Sequence, residues 1–219
     1  MATKERNASK TKARILKIAT SEFSTRLFDG ARMDRIAARA HINKYMLYHY
    51  FGGKDGLFTA VLELMYISIR DSQKVIDEAL SPSAAMKALV AQTYEVVHKH
   101  PEFIGLLNSE NIMKACHIRG SKLIRDIYEP LIPSLRSILK RGAKSGEFRA
   151  GIDAIELYIS IGSLCFHSRS NQQTLKAIFG VDLESSNAIS RRLDHINEMV
   201  LSYCRPPAAS RSVRPAKKP

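Results

Sequence analysis

The sequence predicts an all-α protein, a small N-terminal three-helix unit followed by a larger helical domain. Apolar residues recur at intervals of three and four along almost the whole 219-residue chain. No alternating run flanked by hairpin-turn residues interrupts them. Near the N-terminus, two short helical segments are joined by a tight turn. A hydrophobic content of 45% with 25% charged residues is that of an ordinary folded protein.

The first helix is expected from about Ser9 to Phe28, with Ile15, Ile18, Ala19 and Phe23 on one face and Gly30 as its stop. A short helix from about Met33 to Ala40 turns Ile36, Ala37 and Ala40 inward. After a four-residue turn, Lys44 to Phe51 forms another, capped by Asn43, whose side-chain oxygen can accept from the free amides of the first turn. Beyond Gly52 and Gly53 a longer helix runs from Lys54 to about Leu80, and Leu57, Phe58, Val61, Leu62 and Met65 are spaced to pack back on the first three. Ser81 and Pro82 close it and open the next, with proline at the first helical position, where its missing donor is harmless. Later helices are expected at about 83–98, 101–115, 120–142, 153–169 and 185–204, with Pro130 and Pro133 bending or interrupting the third of these. The ending RPPAASRSVRPAKKP is Pro-rich and basic, and disorder is expected there.

Charge is unevenly divided. Residues 1–58 hold 12 Lys+Arg against 5 Asp+Glu, residues 59–204 hold 17 against 16, and residues 205–219 add five cations without an acid, for +13 in all. A basic excess on a small folded segment favours a polyanion, nucleic acid or a membrane surface. No run of 18 apolar residues and no apolar stretch after the basic start is present, so neither a membrane span nor a signal peptide is expected and the chain is assigned to the cytoplasm. Cys116, Cys165 and Cys204 are far apart, as buried reduced thiols would be, and lack the close pairs of a structural zinc site.

Stepping about 100° per residue, Lys44, Tyr45, Tyr48 and His49 fall within an arc of about 140°, whereas Met46, Leu47, Tyr50 and Phe51 occupy the opposite side. The greasy side, with Ile42 and Ile36, can anchor the element, leaving the polar aromatic side to enter a groove. The stretch GARMDRIAARAHINKYMLYHYFGGKDGLF, Gly30 to Phe58, resembles the DNA-binding segment of the tetracycline-repressor (TetR) family. That resemblance implies residues 1–53 as N-terminal arm and helix-turn-helix DNA-binding domain, 54–204 as a helical effector-binding and dimerisation domain, and 205–219 as a basic tail.

Carried onto matching positions, it makes Lys44 and Tyr45 base-reading and Tyr48 and His49 phosphate-contacting residues. Lys54 would meet phosphate at a helix N-terminus. Arg32 stands where the family usually has a capping Thr or Ser, which removes a cap but supplies a cation. His41 stands where the turn often has glycine, and histidine is among the residues that tolerate positive φ.

In the last helix, Ile189, Leu193, Ile196, Val200 and Tyr203 form a seam spaced four, three, four and three. Tyr158, Ile161, Gly162 and Cys165 line a stripe of the preceding helix. The resemblance implies that these meet their symmetry mates in a homodimer, although the same spacing also serves packing within one chain. It also implies a small-molecule effector pocket, for which Asn108, Glu110, Asn111, His117, Tyr158, His167 and Asn171 are the candidates.

The implied function is sequence-specific transcriptional regulation at a palindromic double-stranded DNA operator, as a repressor released by a small molecule. Non-specific DNA packaging is the alternative. No G-x-S-x-G, H-E-x-x-H or dinucleotide-binding glycine pattern is present, and the GGKD at 52–55 lacks the upstream glycine and following Ser/Thr of a phosphate loop. His98 and His100 would need further ligands to hold zinc. No enzyme activity, cofactor or metal is expected.

Overall fold

The computed structural model describes residues 2–73 and 75–207, with side chains from Ala8 onward. Among them are twelve helices and no strand. Four form the N-terminal unit and its extension: α1 (Ala2–Gly30), α2 (Met33–Arg39), α3 (Lys44–Phe51) and α4 (Lys54–Ser72). The rest are α5 (Pro82–Lys99), α6 (Glu102–Ile112), α7 (Cys116–Gly120), α8 (Lys122–Tyr128), α9 (Leu131–Ser145), α10 (Ala154–Ser170), α11 (Gln172–Phe179) and α12 (Ser186–Cys204). Among the described residues no helix is long and apolar enough to cross a membrane.

Two apolar cores result. The first gathers Ile15, Ala19 and Phe23 of α1, Ile36 and Ala37 of α2, Leu47 of α3 and the inner face of α4 from Leu57 to Ile69, together with Phe103 and Leu106 of α6 and Ile124 of α8. The second joins α5, α9, α10 and α12 through Met86, Val90, Leu135, Ile161, Ile196 and Val200. Packing therefore runs across residue 53, and the division expected there is not a division between cores.

Several elements depart from expectation. α1 is interrupted at Leu27 (φ 58, ψ 178), and the Phe28 amide just beyond donates to the buried Ser109 Oγ of α6 at 3.0 Å. At the α1–α6 crossing a Cβ on Gly105 would stand 2.0 Å from the Ser24 carbonyl oxygen, so only glycine permits this approach. α4 stops at Ser72 instead of about Leu80, with Gln73 extended. Beyond it Val75 is exposed and gains no burial, while the Asp77 carboxylate accepts from the Ala79 amide at 2.9 Å, a local bond that competes with helix. The expected 120–142 helix begins inside α7 and breaks twice: at Ser121, whose hydroxyl caps α8 by accepting from Ile124 N, and at Pro130. α11 was not expected, and it buries none of its own residues. The basic tail from residue 208 lies outside the described residues.

Candidate nucleic-acid interface and effector cavity

The α2–α3 turn is built as its sequence requires. His41 adopts φ 50, a conformation histidine tolerates better than most side chains. Asn43 Oδ1 accepts from Met46 N at 2.9 Å and caps α3. No side chain caps α2 at Arg32, and the Arg32 amide donates to Glu22 Oε1 at 3.4 Å. Leu47 is fully buried against Ile36 and Ala40, and Met46, Tyr50 and Phe51 are half-buried. On the opposite side Tyr45 is 73% and Tyr48 45% exposed, and Lys44 and His49 also face solvent.

This exposed face is preorganised. The Tyr45 and His49 rings stack at 6.3 Å between centroids, and Lys44 Nζ pairs with Asp34 Oδ1 at 2.8 Å. The Asp34 hydrogen bond and charge push the Lys44 pKa up, so the ammonium stays charged. Because both partners are exposed, the pair is weak and can be exchanged for another anion. Lys54, at the start of α4, lies 4.7 Å from the centre of the Phe28 ring and donates to the Asp29 carbonyl at 3.3 Å. Arg32 is exposed in the α1–α2 junction.

Two buried acids brace the head, and periodicity alone singled out neither role. Glu22, 3% exposed, stands within 3.7 Å of Arg26 Nε, 3.3 Å of Arg35 Nη1 and 3.8 Å of Arg39 Nη1. The signal was present: an acid sits on the apolar stripe of α1 beside Phe23, with an arginine four residues on and two more at i,i+4 in α2. Glu110, also buried, accepts from His117 N at 2.8 Å and Ile118 N at 2.9 Å through Oε1, while its Oε2 meets His117 Nδ1 at 2.9 Å. The other ring nitrogen of His117 faces Asp55 Oδ1 at 3.3 Å, in the first turn of α4. Glu110 and His117 therefore join α6 and α7 to the base of the reading head, and neither lines the cavities described next. Cys116 completes a trio with them whose ligand atoms lie within 4.8 Å of one another. Both Glu110 oxygens are already hydrogen-bonded there, so the trio reads as a braced turn.

A cavity of about 620 Å³ lies between the two cores, walled by α4, α5, α6, α8, α9 and α10. Of the seven effector-pocket candidates, Asn111 and Tyr158 line it. Its walls are mostly apolar, including Ile69, Val96, Phe103, Leu107, Ile127 and Phe166, and its polar groups are Arg70, Gln73, Thr93, Asn111, Tyr128, Tyr158 and Ser163. Asn108, His167 and Asn171 instead border an adjoining polar depression of about 410 Å³, which shares Ser163 and Phe166 with the cavity.

The expected association stripes are displaced. Ile161, Cys165, Ile196 and Val200 are buried in the protomer's own core, Ile189 and Leu193 pack against that core, and Tyr158 turns to the cavity. Gly162 is half-buried and Tyr203 is exposed. The apolar face left open on α10 and α12 is formed by Ile155, Ile159, Met199 and Tyr203, with Ile159 53% exposed. The physical reason is that α10 and α12 pack on α5, which takes the stripe that the spacing had reserved for a partner.

Residues 15–61 match the family described as bacterial regulatory proteins, tetR family, and residues 82–200 match the tetracyclin repressor-like C-terminal domain. The chain is 35% identical over 195 residues to the HTH-type transcriptional repressor NicS of Pseudomonas putida, which spans 89% of this chain and 92% of the relative. Its fold is similar to that of an HlyIIR linker variant (TM-score 0.62, 20% identity, 91% of this chain and 100% of the other). It is also similar to AibR, solved in complex with isovaleryl coenzyme A and operator DNA (TM-score 0.63, 15% identity, 86% and 97%).

Proposed function

The chain belongs to the TetR family of bacterial regulatory proteins, and from that premise we propose that it represses transcription by binding a palindromic operator as a homodimer, with a small molecule releasing it. The observation that carries this reading is α3, held by fully buried Leu47 while Lys44, Tyr45, Tyr48 and His49 stand outside on one face.

In the groove, Lys44 and Tyr45 read base edges, the ammonium exchanging Asp34 for an acceptor on a base and the phenol ring meeting a thymine methyl or a sugar. Tyr48, His49, Arg32 and Lys54 hold the phosphates and set the register. One such head makes few contacts, and two held about 34 Å apart reach successive major grooves. The open apolar face of α10 and α12 supplies the surface for pairing two protomers. The chain acts by binding rather than catalysis, and its work lies at the chromosome, in the cytoplasm.

Release requires a ligand that prefers a state in which the two heads are mis-spaced, because equal affinity for both states shifts nothing. The 620 Å³ cavity is the effector site of this reading. α4 connects the two events, since it carries Asp55 against His117 at one end and Ile69 and Arg70 in the cavity wall at the other.

The test is a titration of the upstream DNA of its own gene against excess random competitor. Tyr45→Ala changes which sequences are bound, whereas Lys54→Ala weakens all sequences alike and lowers the salt slope by about one per half-site. Equal competition by random DNA would return the reading to charge-driven packaging.

A further inference from the structure

The formal charge in the wall of the 620 Å³ cavity is of one sign. Among the described residues, Arg70 is the only charged side chain in its wall, and no acid pairs with it. The phenols of Tyr128 and Tyr158 also line the cavity, and neither hydroxyl has a hydrogen-bond partner among the described residues. Burial raises the pKa of both, so they stay protonated and present O–H donors at neutral pH. Tyr128 lies within electrostatic reach of Tyr158 and of Arg70, whose cation acts against the burial effect. Gln73 adds an amide at the same edge.

The rest of the wall is largely hydrocarbon and aromatic, from Val96, Val97, Phe103, Leu107, Ile127 and Phe166. A volume of about 620 Å³ falls within the roughly 300–1,000 Å³ of sites for drug-sized ligands. One unpaired guanidinium, two phenol donors and no wall carboxylate together favour a ligand carrying a single negative charge, while the Thr93 and Ser163 hydroxyls, which donate to the Leu89 and Ile159 carbonyls, are left to the cavity as neutral acceptors. A ligand rich in phosphates would require several cations here, and a cationic amine would find no acid.

We propose that this cavity binds an organic monocarboxylate with an apolar, ring-sized body, its carboxylate held by Arg70 and the Tyr128 and Tyr158 hydroxyls. The proposal rests on the cavity being the effector site and adds the chemical class of the effector. The guanidinium fork matches a carboxylate in two parallel hydrogen bonds, and the phenols satisfy its remaining lone pairs. Arg70 stands in the last turn of α4, so the bound anion pulls directly on the helix whose first turn faces His117.

The experiment compares three probes of one shape, 2-naphthoate, 2-naphthamide and 2-naphthylmethylamine, by calorimetric titration of the full chain at pH 7. In the unaltered protein the carboxylate binds more tightly than the amide by about tenfold, and the amine binds weakest. Arg70→Met brings carboxylate and amide to within about twofold of each other, and Arg70→Lys restores part of the preference. Tyr158→Phe weakens both acceptors, because it removes a donor and leaves the charge. Equal binding of carboxylate and amide, tightest binding of the amine, a preference that survives in Arg70→Met, or no binding of any probe would each overturn the proposal. Operator titration of the same ligand-free preparations separates the two readings. Intact DNA binding alongside any of those results confines the failure to the ligand class, and loss of specific DNA binding by the unaltered protein removes the regulator reading itself.

Discussion

Gly105→Ala tests the joint between α1 and α6. The added Cβ would stand 2.0 Å from the Ser24 carbonyl oxygen and 2.9 Å from Ser24 Cα, against the 3.4 Å at which ordinary contact begins. Backbone atoms cannot rotate out of the way, so α1 and α6 must part by about 1.4 Å, the difference between 3.4 and 2.0 Å. Overpacking of this kind costs about 1–3 kcal/mol. The same separation stretches the 3.0 Å bond from the Phe28 amide to Ser109 Oγ and strands a hydroxyl whose residue is only 2% exposed, adding about 1–3 kcal/mol. The two together come to about 2–6 kcal/mol, and at about 2–4 °C per kcal/mol for a chain of this size the melting temperature falls by roughly 4–24 °C. Gly30→Ala is the control, since its Cβ would meet only Arg26 Cβ at an ordinary 3.5 Å, and it melts within about 2 °C of the parent. Circular dichroism melts give the stability, and hydrogen exchange reports the Phe28 amide, which loses protection in Gly105→Ala only. A Gly105→Ala protein that melts like the parent with that amide still protected would refute the reasoning and show the crossing to be elastic.

Leu47→Ala, at a fully buried site, costs about 2–5 kcal/mol and is seen as a lowered melting temperature, whereas Tyr45→Ala, 73% exposed, leaves stability within about 0.5 kcal/mol and alters only operator choice. Equal melting of the two variants would mean that α3 is seated the other way round. Burial pushes the Cys165 thiol up to about 12 and the Cys204 thiol up to about 11, and Cys116 is exposed. Since the thiolate is the nucleophile, a disulfide reagent at pH 8 titrates one fast thiol in the native chain, lost in Cys116→Ser, and three after denaturation; two fast native thiols would contradict the packing of α10 and α12. Glu147 accepts from Ser83 Oγ at 2.7 Å and Ser83 N at 3.1 Å, and these bonds hold its carboxyl below the usual range. A depressed carboxylate adds stability above its unfolded value and loses it as pH falls through the folded one, so melting temperature drops more between pH 6 and pH 3 in the parent than in Glu147→Gln. A larger drop in the variant would reverse the assignment.

The reading face was legible because it depends on local rules. Asn43 as cap, positive φ at His41 and the phase of Leu47 against Tyr45 all follow from residues within a few positions of one another. The face for association was less so. Spacing in α10 identifies an apolar stripe but not what covers it, and α5 takes Ile161 and Cys165 while Ile155 and Ile159 remain outside. Glu110 and His117 were recognised as unusual polar residues in an apolar region, yet their partner Asp55 lies 62 residues from His117, a distance no periodicity spans. The early end of α4 reflects an absence: the residues after Ser72 have the composition of helix, but Val75 finds no surface on which to bury.

Glu22 ties Arg26 of α1 to Arg35 and Arg39 of α2 through one sheltered carboxylate. Helices clamped in this way travel as one piece, so under the proposed function a response to a metabolite would alter where each head is pointed and leave its letter preferences untouched. On that same reading, the outward residues of α3 are free over evolutionary time to drift to new promoters without retuning the inducer, and the cavity is free to change its chemistry without loss of the genes controlled.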